Sequence, residues 1–379
     1  MAIRKRQWPG PDGTTRQAWQ VDYRDTAGKR RSKQFSRKKD AEAWQVGAAH
    51  EVATGIHTAD RASITVAQAV KVWTDSAKAK GLERATRDGY ETVARLHIVP
   101  LIGAERLSRL TQPRVEAYRD QLLETRSRSQ AARAVRALSR IIAEAQRRGL
   151  VAQNVAREVK VTTPGRDKAK VAIPSKVELR AMIEAASDDF RPFVLTAIFT
   201  GLRASELRGL RWTDVDLKKA TVTVRQRADR FGVIGPPKSQ AGYRTVPMPG
   251  RLVAELREWK LRCPIGPLGL VFPNSQGGVA QYGHLLRRRF HPLQLRAGVS
   301  DVIGEDGEGK PILRARYGIH ALRHAAASAW IAQRVDLKRL QTWLGHESIE
   351  LSLGTYGHLI VDESADAAIM GAAQDELLG

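Results

Sequence analysis

The sequence predicts an α+β multidomain chain, with a small N-terminal sheet and helix, a helical middle, and a mainly α C-terminal part that carries a small antiparallel sheet. Three observations predict it. Apolar residues alternate in twos near the N-terminus (Trp19, Val21, Tyr23), recur at helical spacing from Val66 through Ala69, Val70 and Trp73, and alternate again in TVTVRQRA and YRTVPM. Pro164, Gly165 and the charged run Arg166-Asp167-Lys168 interrupt the helical pattern before Ile173-Pro174-Ser175. A length of 379 residues allows two or three domains with ample core.

Taken in order, residues 1–60 open on turn residues, Trp8-Pro9-Gly10-Pro11-Asp12-Gly13, and continue in strand language to a Gly28 turn and Arg30-Arg31-Ser32-Lys33-Gln34-Phe35. A helix then starts near Ser36 or Arg37 and buries Ala41, Trp44 and Ala48. Residues 64–160 read as four or five helices. One of them, Gln130 to Arg148, has Val135, Leu138, Ile141 and Ile142 on its apolar face, exposes Arg133, Arg136, Arg140, Arg147 and Arg148, and stops at Gly149. Residues 161–173 form a linker, and 174–379 the C-terminal domain. The tail after Tyr356 mixes apolar residues with acids, which suits a docking helix on its own subunit or on a neighbour.

The chemistry concentrates in that C-terminal domain. His320, Arg323 and His324 share the string HALRH, followed by Leu344-Gly345-His346 and by Tyr356 in GTYGHL; upstream, Arg203 sits in TGLRASEL and Lys238 in the expected hairpin turn PPKSQAGYRTVPM. Two arginines offer planar, forked donors to phosphate oxygens and stay charged, since guanidinium has a pKa above about 12. A tyrosine phenol, with a pKa of about 10, attacks phosphorus at neutral pH only with a base or positive charge nearby. His320, three residues before Arg323 on a helix, shares its face, and His346 adds a donor from another side. Lys238 on its turn suits a general acid for a departing oxygen. It also fits a solvated turn lysine, like Lys218 and Lys219. Glu206 suits a brace for Arg203 or a helix cap, His324 fits a packed core histidine on a helix from Ala321 to Arg334, and His358 reads as structural.

Composition sets the partner class. A formal net charge of +23 and a pI near 10.5 imply a polyanion bound with salt-sensitive affinity. Basic residues Lys29, Arg30, Arg31 and Lys33 suit strands laid against a DNA groove, and Arg133, Arg136 and Arg140 a helix tracking phosphates. No apolar run approaches the roughly 20 residues of a membrane span, and MAIRKRQW lacks a signal-peptide core, so a cytoplasmic protein with no membrane partner is expected. One cysteine, Cys263, excludes an internal disulfide and a thiolate zinc site.

In this order and context, Arg203, Lys238, His320, Arg323, His346 and Tyr356 resemble the catalytic signature of tyrosine recombinases of the phage-integrase type. TGLRASEL, HALRH, LGH and TYGHL carry the resemblance from about residue 174 to the end. It implies that Tyr356 cuts DNA through a 3'-phosphotyrosyl link without cofactor or metal, and that a partner strand's 5'-hydroxyl resolves the link. The ester energy is retained, in keeping with the absence of a GxxxxGK[ST] string. Residues 1–60 resemble arm-type DNA-binding domains, through WQVDYRD, GKRRSKQF and KKDAEAW, and 64–160 resemble core-binding domains that clamp the crossover site. The resemblance further implies double-stranded attachment sites, a homotetramer on DNA coupled through the tails, a host DNA-bending protein, an excisionase, and action at the nucleoid of a bacterial host. A type IB topoisomerase and a noncatalytic DNA-binding protein are the rivals: the first would relax DNA without a partner site, and the second would not need all six residues.

Overall fold

The computed structural model describes residues 1–9, 11–24, 28–53, 63–162, 172–360 and 374–378, which fall into two compact units, Met1–Arg166 and Asp167–Gly379. In the first, β1 (Ala2–Pro9), β2 (Thr15–Arg24) and β3 (Arg30–Phe35) form an antiparallel sheet in that order, followed by α1 (Lys38–Ala53). Period two gives the sheet two unlike faces. One buries Val21 and Tyr23 and receives Trp44 of α1, which stands edge-on to Tyr23 at 5.2 Å and tilts against Phe35 at 5.7 Å.

That pleat divides the expected basic residues between the two faces. Arg31 lies opposite Tyr23 and Lys33 opposite Val21, so both share the helix-covered face, and the Lys33 ammonium sits 5.0 Å from the Trp44 ring. Arg30 lies on the other face. It shares that face with Arg4, Arg6, Arg16 and Arg24, all exposed, around Gln20 and Gln34. Trp8-Pro9, expected in a turn, instead ends β1. The strand is an edge strand, where proline is tolerated, and its almost wholly exposed residues leave no alternation to read.

The helical segment has its own core, built from Val66, Trp73, Ile98, Tyr118, Leu138 and Ile141 among others. It comprises α2 (Val66–Ala79), α3 (Arg84–Val93) running through a π turn (Ala94–Ile98) into α4 (Val99–Ile102), then α5 (Gln112–Thr125) and α6 (Arg128–Arg147). Helix α6 starts two residues before the expected Gln130, because Ser127 and Gln130 close a capping box. It stops where expected, with Gly149 at φ +69°. The arginine face is exposed as expected, although Arg147 and Arg148 are tied to the buried carboxylate of Glu144 and Arg133, Arg136 and Arg140 are not.

In the second unit, Ser175 and Glu178 cap α7 (Lys176–Glu184), followed by α8 (Arg191–Thr200) and α9 (Ala204–Gly209). Strands β4 (Val215–Asp216) and β5 (Thr221–Val224) come next, then β6 (Arg227–Ala228), β7 (Ile234–Gly235) and β8 (Arg244–Pro247). The string TVTVRQRA is therefore split. Its first half pairs with β8 in the sheet β4-β5-β8, while its end turns away as β6 to pair with β7, so Lys238 lies beyond a second hairpin and not at the tip of a simple one. Helices α10 (Gly250–Arg262), α11 (Tyr282–His284) and α12 (His291–Arg296) lead to an unforeseen hairpin, β9 (Ser300–Glu305) with β10 (Pro311–Ala315). Val302, Ile303, Ile312 and Leu313 stand exposed on it, so it contributes no core periodicity. Three helices finish the unit: α13 (His320–Ala332), α14 (Leu337–Leu344) and α15 (Ile349–Ile360). Helix α13 ends two residues short of the expected Arg334, which takes φ +57° instead. Of the expected docking tail, only Leu359–Ile360 at the end of α15 and an exposed helical turn at 374–378 fall among the described residues, and the side chain of His358 lies outside them. Among the described residues, no helix is long and apolar enough to cross a membrane.

Candidate active site

Two helix ends place the arginines. Helix α8 closes on Gly201 at φ +58°, and a side chain there would meet the Trp330 ring at 2.9 Å, so glycine lets α13 come close. The chain then turns so that Arg203 precedes α9. Glu206 accepts the Arg203 backbone N–H at 2.8 Å and its Nη1 at 2.9 Å, acting both as cap and as brace. Helix α14 closes on Gly345 at φ +62°. Its last carbonyls have no partners within the helix, and three in succession take guanidinium donors: Trp343 O from Arg244 Nε at 2.6 Å, Leu344 O from Arg323 Nη2, and Gly345 O from Arg203 Nη2 at 2.9 Å. Arg323 Nη1 also donates to Gly201 O at 2.8 Å. Each guanidinium has five N–H groups, so Arg203 and Arg323 keep donors for a phosphate after these bonds.

The charges do not cancel. Arg203, Arg244 and Arg323 surround one buried carboxylate, Glu206, to which Arg244 donates at 2.8 and 3.1 Å, leaving an excess of two positive charges. Burial alone would raise the Glu206 pKa; the Arg244 guanidinium, helped by Arg203 and Arg323, overrides it and holds the group down to about 2. Burial and the neighbouring Arg203 lower Arg323 to about 9, still protonated at neutral pH. A site with net positive charge suits a phosphodiester.

Around these arginines stand the remaining groups. His346 follows Gly345 and shares a 2.8 Å hydrogen bond with Ser352 Oγ through Nδ1; burial first, then Arg323, Arg203 and Arg244, lower it to about 4. His320 opens α13 with one edge exposed, and desolvation of the rest, with His324 and Arg323 beside it, holds it below the usual imidazole range. Tyr356 is carried by α15 and is 1% exposed, packed among Ala327, Leu340 and Leu344. Burial pushes its phenol up to about 12 against the pull of Arg323 and Arg203. His324 Nδ1 lies 2.7 Å from the Tyr356 hydroxyl.

Five of the six sequence-assigned residues, Arg203, His320, Arg323, His346 and Tyr356, are thus gathered. Lys238 is not joined to them. It is exposed on the bend after β7 and makes no hydrogen bond or ion pair among the described residues. Sequence reasoning missed Arg244 and left His324 outside the set. Arg244 carried a signal, since it is in phase with buried Val246 on β8, and an arginine at an inward strand position needs a buried acid.

Residues 174–362 match the phage integrase family model. The chain belongs to that family, the tyrosine recombinases that break and rejoin DNA at specific sites to integrate or excise mobile elements. Among curated relatives it is 26% identical to a XerC-like tyrosine recombinase of Caldanaerobacter subterraneus, over 91% of this chain and 92% of the relative. Its fold is similar to that of the Tn1549 transposon integrase solved with a circular intermediate DNA (TM-score 0.68, 18% identity, 82% of this chain and 100% of the other). It is also similar to that of a lambda integrase tetramer bound to a Holliday junction (TM-score 0.58, 16% identity, 90% and 95%).

Proposed function

We propose that this recombinase cuts its attachment sites with Tyr356, while Arg203 and Arg323 hold the non-bridging oxygens of the scissile phosphate and His320 and His346 donate from either side. The observation that supports these roles best is the placement of Arg203 and Arg323 on the carbonyl ends of α8 and α14, under an excess of positive charge and next to the buried phenol. In the step, the Tyr356 oxygen bonds to phosphorus as the bond to the 5' oxygen breaks, leaving a 3'-phosphotyrosine and a 5'-hydroxyl. Lys238 protonates that oxygen. Its exposed bend must then close on the DNA, so its role rests on binding rather than on the resting geometry.

The substrate is double-stranded DNA carrying attachment sites, engaged by a homotetramer in the cytoplasm at the nucleoid of a bacterial host. A bending protein and an excisionase set direction. Residues 1–60 bind arm sites through the open sheet face of Arg4, Arg6, Arg16, Arg24 and Arg30, where the exposed Gln34 can reach base edges. Residues 64–160 bind core sites through Arg133, Arg136 and Arg140. The test is a supercoiled plasmid with one candidate attachment site or with a recombining pair. Strand exchange that needs the pair supports the reading; relaxation of the single-site plasmid, without exchange on either, identifies a topoisomerase instead.

A further inference from the structure

One imidazole outside the assigned set touches the atom that reacts. His324 follows Arg323 on α13, and its ring stands perpendicular to that of His320, with centroids 4.7 Å apart. Its Nδ1 lies 2.7 Å from the Tyr356 hydroxyl, with the two rings 5.6 Å apart. Tyr356 is 1% exposed, so bulk water does not reach the phenol and its proton must pass to a protein group. His346 has its Nδ1 engaged with Ser352. Arg203 and Arg323, the charges facing the phenol, are already protonated and cannot accept.

The direction of that hydrogen bond follows from the acceptors within reach. Burial and Arg323 keep His324 below the usual imidazole range, so the ring is neutral at pH 7 and one of its nitrogens is an acceptor. Burial likewise keeps the phenol protonated. The Tyr356 hydroxyl has no other hydrogen-bond partner among the described residues, so its hydrogen is satisfied only where the phenol donates to Nδ1.

Building on the reading of Tyr356 as nucleophile, we propose that His324 is the general base that takes the phenol proton as the oxygen attacks phosphorus. The O–H bond breaks as the O–P bond forms, and the proton moves to Nδ1. The electron pair of the broken P–O bond leaves on the 5' oxygen, which takes its own proton from the separate acid. In the rejoining step the tyrosine oxygen departs from phosphorus and recovers its proton from His324. A role on the nucleophile side separates His324 from Lys238.

The experiment uses the full chain and a nicked suicide substrate in two forms, with an ordinary 5' oxygen or a 5'-bridging sulfur at the scissile bond; a sulfur leaving group needs no proton. His324→Asn keeps a hydrogen-bonding amide near the Nδ1 position but cannot take a proton. The expected result is normal DNA binding with covalent adduct formation slowed on the order of 10²- to 10⁴-fold on both substrates, whereas Lys238→Ala recovers on the sulfur substrate. Wild-type rates in His324→Asn, or recovery of that variant by sulfur, overturn the assignment. His324→Gln, tested in parallel, guards against a folding defect peculiar to one variant. An adduct that persists in Tyr356→Phe instead overturns the nucleophile reading, and the two failures are told apart.

Discussion

Replacing Glu206 by glutamine removes the one negative charge among the three arginines. Glu206 accepts four hydrogen bonds, two from Arg244 and two from Arg203, and both it and the Arg244 side chain are almost fully buried. Glutamine keeps one acceptor oxygen and turns an N–H₂ toward a guanidinium. Arg244 is left with the neutral carbonyls of Gly242 and Trp343, and the local excess rises by one charge. Breaking a buried pair from one side costs about 3–5 kcal/mol. The carboxyl pKa gives a consistent figure: a drop from its ordinary value of 4.5 to about 2 corresponds to about 3 kcal/mol. The pair with Arg203, which is about a third exposed, adds little. With a urea m-value of about 2–3 kcal/mol per molar, the unfolding midpoint should fall by about 1–2 M. Adding Arg244→Met should recover part of that loss, because the uncompensated charge is then gone. A midpoint unchanged within about 0.3 M, or losses that simply add in the double variant, would refute this reasoning.

Three further outcomes follow from the same geometry. Gly345→Ala should cost about 1–3 kcal/mol and slow cleavage, since Gly345 takes φ +62° and a side chain would meet Ala241 O and Arg244 Nη1 at 2.9 Å; unfolding midpoints and adduct rates check it. Stability should fall with acid: His346 and Glu206 both have lowered folded-state pKa values, so the unfolded chain binds protons that the folded site refuses. The His346 contribution is complete above about pH 6.5 and disappears toward pH 4, giving about 1–2 kcal/mol between pH 7 and 5 that His346→Gln should remove, while the Glu206 part is lost only below about 4.5. Alanine at Arg4, Arg6 or Arg30 should weaken arm-site binding and lower the salt slope by about one for each phosphate no longer neutralised, measured by anisotropy from roughly 50 to 200 mM salt, with smaller effects at Arg31 and Lys33.

Much of this is legible in the residues. Arg203, His320, Arg323, His346 and Tyr356 can be found because each stands in a short string with its own turn glycine or helical spacing, and local geometry survives folding. Helix α6 follows from its apolar period and Gly149, and its start is missed by two residues unless the capping box at Ser127 and Gln130 is recognised. What the residues conceal depends on long-range pairing. Which face of the N-terminal sheet carries Arg4, Arg6 and Arg30 is decided by register with β1, a strand with almost no buried residue. Arg244 meets Glu206 across 38 positions of sequence, and His324 meets Tyr356 across 32, so although the strand phase of Arg244 marks it as inward, neither partner can be read locally. Lys238 looks like the tip of one hairpin because the alternation of TVTVRQRA continues straight through the point where β5 ends and β6 departs.

On the proposed mechanism Tyr356 becomes covalently joined to DNA. Wild type and Tyr356→Phe should be incubated with a nicked suicide substrate carrying candidate attachment sites, denatured and digested, and the DNA-linked peptide sequenced by mass spectrometry. An adduct should form in wild type alone, with the phosphodiester on Tyr356. An adduct of equal yield in Tyr356→Phe, or one mapped to another residue, would contradict it.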